Sequence, residues 1–280
     1  MDRIGVVGCG LMGSGVAEVA ARAGLDVRVV ETNRAAADAG RRRLESSLQR
    51  AQAKGKIESA DGVLELIQIS TDLGDLADRD IVIEAIAEDE QLKTELFRSL
   101  DKVVQAPDAI LASNTSSIPI MKLGVATERP AQVLGVHFFN PVPVLTLVEL
   151  VPSLLTAPEA TERARRFVEG PLGKKAINCQ DRAGFVVNAL LIPFLLSAIR
   201  MLESGFATAA DIDEGLVRGC AHPQGPLALA DLIGLDTTKA VAESLYDEFK
   251  EPLYAPPPLL ARMVEAGLLG RKSGRGFYTY

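Results

Sequence analysis

Short apolar runs and amphipathic stretches alternate through the first half of the chain. "RIGVVG", from Arg3, is a continuous apolar run, the pattern of a strand covered on both faces. "LMGSGVAEVAARAG" follows with helical spacing and ends on Gly24, a residue suited to a helix C-terminus. "DVRVVE" predicts the next strand. A long polar stretch over about residues 33–56, rich in Arg, Ala and Glu, predicts a long helix. "DIVIEAIAE" then reads as strand, "EQLKTELFRSLDKVV" as helix, and "AILASNTS" and "QVLGVHFFN" as strands. Strands alternating with helices predict an α/β fold around a doubly wound, mostly parallel sheet.

The pattern changes after "NPVP". "LTLVELVP" predicts a strand, and "TAPEATERARRFVEG" a helix opened by a capping box of Thr156 and Glu159 and closed at Gly170. "KAINC" predicts one further short strand. From "DRAGF" onward only helices are expected: "FVVNALLIPFLLSAIRMLESG" with a kink at Pro193, "TAADIDEGLVRG", "LALADLIGLDTTKAVAESLYDEF" as a single element, and "PLLARMVEAG". The expected organisation is therefore a sheet domain over 1–183 and an all-helical domain over 184–280. The proline cluster at 255–258 is a connecting loop.

Composition narrows the function classes. The 280 residues suffice for two domains, and 48% hydrophobic with 24% charged residues is ordinary for a globular protein with a large core. A net charge of −7 argues against general nucleic-acid binding, without excluding a local basic pocket. Cys9, Cys179 and Cys220 are far apart and show no metal spacing, so neither a disulfide framework nor a zinc site is expected. The longest apolar run is interrupted by Asn188 and Pro193 and falls short of the ~20 residues of a membrane span. The chain opens directly on the first strand, which leaves no room for a targeting segment, and the expected compartment is the cytoplasm.

Two constellations carry chemistry. Gly8, Gly10 and Gly13 stand in G-x-G-x-x-G spacing between a predicted strand and a predicted helix. The first allows the tight turn, the second lets backbone approach a pyrophosphate, and the third lets helix and strand pack closely. Glu31 ends the following strand, where a carboxylate takes the ribose hydroxyls and repels a 2′-phosphate. NAD is favoured over NADP, with Arg34 near enough to keep the second open. The other constellation is His137 and Glu149 on two strands that "NPVP" can fold back on each other. A carboxylate on one imidazole nitrogen fixes the tautomer and prepares the other nitrogen as a general base. A core histidine beside an edge-strand glutamate would show the same spacing. Position at a strand's carboxyl end, where ligands bind such sheets, favours chemistry. The hydroxyl-rich "ASNTSS" ends another strand. It is either a cluster of helix caps or a set of donors to a substrate oxygen. His222, before Pro223, reads as structural.

Taken together, "GVVGCGLMGSGVAEVAARAG", "DIVIEAIAEDEQLKTELF", "ILASNTSSIPI", "GVHFFNPVPVLTLVEL", "DRAGFVVNALLIPFLLSAI", "AHPQGPLALADLIGLDT" and "GRKSGRGFYTY" resemble the L-3-hydroxyacyl-CoA dehydrogenases, over essentially the whole chain. The short-chain, 3-hydroxybutyryl-CoA type is the nearest in pattern. The resemblance implies a Rossmann-like NAD-binding domain, a helical domain that mediates homodimerisation, an acyl-CoA substrate and NAD as cofactor. It implies His137 as the catalytic histidine, Glu149 as its partner, and Ser116 and Asn188 at the substrate. Asn140 lines the same pocket. It places Gly8, Gly10, Leu11, Met12, Gly13, Glu31, Glu88, Lys93 and Asn114 at the cofactor. The helix over about 33–56 becomes a clasp that touches CoA through Ser47 and Lys54. Departures from the family pattern are Glu for Asp at position 31, Ala189 after the asparagine, Ala221 before His222, and Pro152 after the Glu149 strand; none removes a catalytic residue. An L-gulonate-type sugar-acid dehydrogenase, a 3-hydroxyadipyl-CoA dehydrogenase and a non-enzymatic crystallin-like protein remain alternatives on the same motifs.

Overall fold

A computed structural model describes residues 1–280. The chain divides into two compact units, Met1–Asp181 and Arg182–Tyr280. The first unit begins with β1 (Arg3–Val7), α1 (Leu11–Arg22), β2 (Asp26–Val30), α2 (Arg34–Ala53), α3 (Ala60–Leu64) and β3 (Ile67–Ser70). It continues with β4 (Ile81–Glu84), α4 (Glu90–Val103), β5 (Ile110–Ser113), α5 (Ile120–Gly124) and β6 (Val133–Phe138). β7 (Leu147–Pro152), α6 (Pro158–Glu169) and β8 (Lys175–Asn178) complete it. The eight strands form one sheet in the order β3-β2-β1-β4-β5-β6-β7-β8. Every pairing is parallel except β6 with β7. The strand order reverses between β1 and β4. In such sheets the crevice at that reversal, beyond the carboxyl ends of the strands, is where ligands bind.

The central strands are buried because helices cover the sheet. Ile4, Val6, Ile81, Ile83, Ile110, Ala112, Leu134 and Val136 are all inaccessible, and α1 adds Val16, Ala17 and Ala20 to the same core. Each such large aliphatic side chain contributes roughly 1.5–3 kcal/mol on burial. Capping follows the short polar residues at element starts. Asn33 Oδ1 accepts from Ala36 N at 2.9 Å to open α2, and Asp89 Oδ1 accepts from Leu92 N at 2.9 Å to open α4.

The second unit is all-helical: α7 (Val187–Glu203), α8 (Ala209–Cys220), α9 (Pro226–Ile233), α10 (Leu235–Phe249) and α11 (Pro258–Glu265). Its core gathers Leu195, Leu196, Ile199, Leu227, Leu235, Leu245 and Leu260. α7 includes Pro193 in a single helix, with Ser197 Oγ donating to the Pro193 carbonyl at 2.8 Å. No helix is long and apolar enough to cross a membrane.

Two local expectations fail and one strand goes unforeseen, each for an identifiable reason. The single helix expected over 227–249 is two, because Gly234 adopts φ +103°, outside the helical region. The Thr156–Glu159 capping box does not form. Thr156 Oγ1 instead donates to Val133 O at 2.6 Å and accepts from Ser153 N at 2.8 Å, and α6 starts after Ala157 with Pro158 in its first turn. β3 gave no sequence signal. "IQIS" is a four-residue edge strand with only Ile67 buried, too short and too one-sided for a period to show.

Candidate active site

The carboxyl ends of β1, β2, β4, β5 and β6 carry the residues singled out by the motifs. After β1, Gly8 takes φ +91°, a backbone state that L side chains rarely adopt. Gly10 caps α1 with open space where a side chain would be, and a Cβ on Gly13 would lie 1.9 Å from Gly8 O. The turn is thus tight, its backbone approachable, and its helix N-terminus aimed outward. Leu11 is exposed and Met12 half-buried at the start of α1. Beyond β2, Glu31 Oε1 accepts from Cys9 N at 2.5 Å and Oε2 from Thr32 N at 3.0 Å. The carboxylate therefore stands at the glycine turn, and this set fits a dinucleotide. Burial, with the nearby Glu31 charge, pushes the Cys9 thiol up to about 12, so it is inert packing. Replacing Gly13 by Ala is expected to weaken NADH binding at least about tenfold, because the Cβ must displace Gly8 and reshape the turn. A fluorescence titration of NADH checks this, with circular dichroism confirming a retained fold.

The end of β4 is tied to the end of β5 by buried charge. Lys93 Nζ lies 2.6 Å from Glu84 Oε1 and 3.0 Å from Glu88 Oε2. Glu84 is inaccessible and also accepts from Ser113 Oγ at 2.6 Å and Ile86 N at 2.7 Å. Glu88 Oε1 accepts from Ser116 N at 3.0 Å, Ser117 N at 3.2 Å, Ser117 Oγ at 2.8 Å and the Thr115 hydroxyl. Burial by itself would raise the Glu88 carboxyl. The Lys93 ammonium and the hydroxyls of Thr115 and Ser117 outweigh it and hold the carboxyl below its usual range. Glu88 and Lys93 thus shape the serine loop directly. Asn114 Oδ1 accepts from Phe138 N at 2.8 Å and joins this loop to β6. The Asp181 carboxylate accepts from Ile120 N and Met121 N, both at 2.7 Å, and fixes the loop's far side by capping α5.

His137 is the fifth of six residues in β6, and Glu149 is its direct partner in β7. Nδ1 and Oε2 are 2.7 Å apart, with the two side chains 8% and 0% exposed. An ionised carboxylate has no proton to give, so Nδ1 is the donor and Nε2 is left as the acceptor. The Phe139 ring packs edge-on to the imidazole at 4.7 Å between centroids. The turn between the two strands is anchored from below. Lys174 Nζ donates to Val142 O at 2.7 Å and Leu145 O at 2.6 Å, and burial lowers its ammonium from the usual lysine range.

Asn140 is exposed just past β6, before the cis bond to Pro141. Ser47 is half-buried on α2, and Lys54 is its exposed C-terminal cap residue; neither is held by a contact to the residues above. Asn188 lies in the first turn of α7, in the helical unit, and is half-buried. Sequence patterns missed Glu84, Lys174 and Asp181. Only Glu84 carried a usable signal, a carboxylate inside a strand that is otherwise fully apolar.

Two family models cover almost the whole chain: the NAD-binding domain of 3-hydroxyacyl-CoA dehydrogenase over residues 3–182, and the C-terminal domain of the same enzymes over 184–280. The chain belongs to the 3-hydroxyacyl-CoA dehydrogenase family. As a member it is an NAD-dependent oxidoreductase acting on 3-hydroxyacyl-CoA. The 3-hydroxybutyryl-CoA dehydrogenase of Mycobacterium tuberculosis is 60% identical over 100% of this chain and 99% of its own. Among solved structures, FadB2 of M. tuberculosis matches with a TM-score of 0.99 at 60% identity, covering 100% of this chain and 99% of that one. The (S)-3-hydroxybutyryl-CoA dehydrogenase PaaH1 of Ralstonia eutropha matches at 0.94 and 45% identity, with the same coverage.

Proposed function

We propose that the protein oxidises (S)-3-hydroxybutanoyl-CoA to acetoacetyl-CoA, and reduces acetoacetyl-CoA in the reverse direction. The observation that carries the chemistry is the buried His137–Glu149 pair at the carboxyl end of β6. The short acyl chain is supported by the names of the 60% and 45% identical proteins. Bound NAD supplies the hydride acceptor, so the chain's residues have only to bind, orient and move a proton. His137 Nε2 takes the proton of the 3-hydroxyl. Glu149 holds the ring in the accepting tautomer and faces the positive charge that develops. Ser116 and Asn188 contact the substrate oxygen, and Asn140 lines the pocket. Glu31 and the glycine turn hold the adenosine half of the cofactor, with Glu88, Lys93 and Asn114 on the nicotinamide side. Ser47 and Lys54 of α2 touch CoA.

The working assembly in this reading is a homodimer through the helical unit, which exposes Leu190, Phe206 and Leu232. Sedimentation equilibrium checks it, a monomer counting against it. The setting is the cytoplasm, within fatty-acid or butanoate metabolism. Steady-state rates over a chain-length series with NADH are expected to peak at acetoacetyl-CoA. Turnover of L-gulonate with NAD, with none of any CoA ester, would overturn the proposal. A peak at a dicarboxylic ester such as 3-oxoadipyl-CoA would move the substrate.

A further inference from the structure

α2 lies unusually close to the glycine turn. A Cβ on Gly40 would come within 2.6 Å of both Cβ and Sγ of Cys9, so only glycine permits this approach. Three residues on and on the same face of the helix, Arg43 donates through Nη1 to the Cys9 carbonyl at 2.7 Å. The N–H of the same residue is held by Glu31 Oε1 at 2.5 Å. The residue between Gly8 and Gly10 is therefore gripped by a carboxylate through its N–H and by a guanidinium through its C=O.

The charges around it differ in how far they are satisfied. Arg34, the basic residue nearest Glu31 in sequence, is 87% exposed and pairs with Asp38 at 3.2 Å. Arg41 pairs with Glu45 at 3.1 Å. Arg43 directs its hydrogen bond to a neutral carbonyl, so an ion pair does not cancel its charge. In folds of this class a carboxylate beyond the second strand selects ribose hydroxyls, whereas a nearby arginine accommodates a 2′-phosphate. A guanidinium suits phosphate because its N–H groups match two oxygens at once. This chain places both kinds of group on one backbone residue.

We propose that Arg43 is a cofactor-discriminating residue, a phosphate-binding position beside the carboxylate that rejects phosphate, so that Glu31 and Arg43 together set the preference between NAD and NADP. The inference rests on the glycine turn being the dinucleotide site. Helix α2 brings Arg43 there from twelve positions beyond Glu31.

The test is a fluorescence titration of NADH and NADPH against the full chain and the variants Glu31→Ser, Arg43→Ala, Arg43→Lys and Glu31→Ser/Arg43→Ala. Glu31→Ser is expected to improve NADPH relative to NADH by about tenfold, and adding Arg43→Ala to remove that gain. Arg43→Ala alone is expected to weaken NADPH about fivefold more than NADH, and Arg43→Lys to retain part of the preference. Equal weakening of both cofactors in both backgrounds would reduce Arg43 to a support of the turn and overturn the proposal. So would unchanged cofactor affinities with a raised KM for acetoacetyl-CoA, which would put the guanidinium at CoA. Absence of any NADH signal in the unmodified chain would overturn the dinucleotide site and the proposal with it.

Discussion

Replacing His137 by Gln is expected to lower kcat for acetoacetyl-CoA reduction by about 10²–10⁴-fold, the usual worth of a positioned general acid–base group. Gln keeps much of the volume and can still hydrogen-bond Glu149, so the 0% exposed carboxylate is not stranded. The loss should therefore appear in turnover with little change in melting temperature. Glu149→Gln is the sharper companion. An amide can present its NH₂ to Nδ1 and turn the ring so that Nε2 carries the proton and cannot accept one. A loss of about 100-fold in kcat, larger than any rise in KM, is expected. Near-normal turnover in His137→Gln would remove the histidine from the mechanism. A matched fall in activity and melting temperature in Glu149→Gln would make the pair a core feature only.

The largest stability effect is expected far from the chemistry, at Asp231→Ala. Asp231 is 1% exposed on α9. Its carboxylate accepts from Phe277 N at 3.0 Å, Tyr278 N at 2.9 Å and Tyr280 Oη at 3.0 Å. The neighbouring Asp213 accepts from Leu227 N, Ala228 N and Tyr278 Oη, so the last residues of the chain are pinned to α8 and α9 by two carboxylates. The pinning is close. A Cβ on Gly276 would fall 1.9 Å from Asp231 Oδ1, and one on Gly270 2.3 Å from Asp231 O. Alanine leaves three donors without their acceptor, at a cost of about 3 kcal/mol or more. A fall in Tm of roughly 6–12 °C follows for a chain of this size. Tyr280→Phe removes a single partly exposed bond and should cost under about 1.5 kcal/mol. Differential scanning calorimetry separates the two; equal and small effects would mean that the tail is not held by Asp231.

The set of buried Glu84 and Lys93 with the more exposed Glu88 shows what an isolated sequence motif conveys and what it omits. Glu88 and Lys93 belong to a stretch shared with the dehydrogenase family, and their placement beyond β4 follows from the strand–helix alternation alone. The partners of Glu88 lie 27–29 positions away on the serine loop and become its neighbours through the parallel pairing of β4 with β5, whereas Lys93 pairs with Glu84 and Glu88 within its own stretch. The same holds for Arg43. Its helix was legible from a long polar stretch, but its contact with the glycine turn depends on how closely α2 can approach at Gly40.

The sequence by itself determined the alternation of strands and helices, the glycine turn with its carboxylate, the change to an all-helical second half, and the family. Each of these is a local pattern or an ordered set of local patterns, because burial on both faces, helical period and positive-φ turns are written in consecutive residues. Tertiary structure alone decided the register that sets His137 opposite Glu149, since a slip of one residue would send one side chain to the other face. It decided the fate of Thr156, whose hydroxyl went to a distant carbonyl rather than its own helix, and the break at Gly234 within an apolar run. These outcomes rest on competition between partners far apart in the chain, and no window of neighbouring residues contains both competitors.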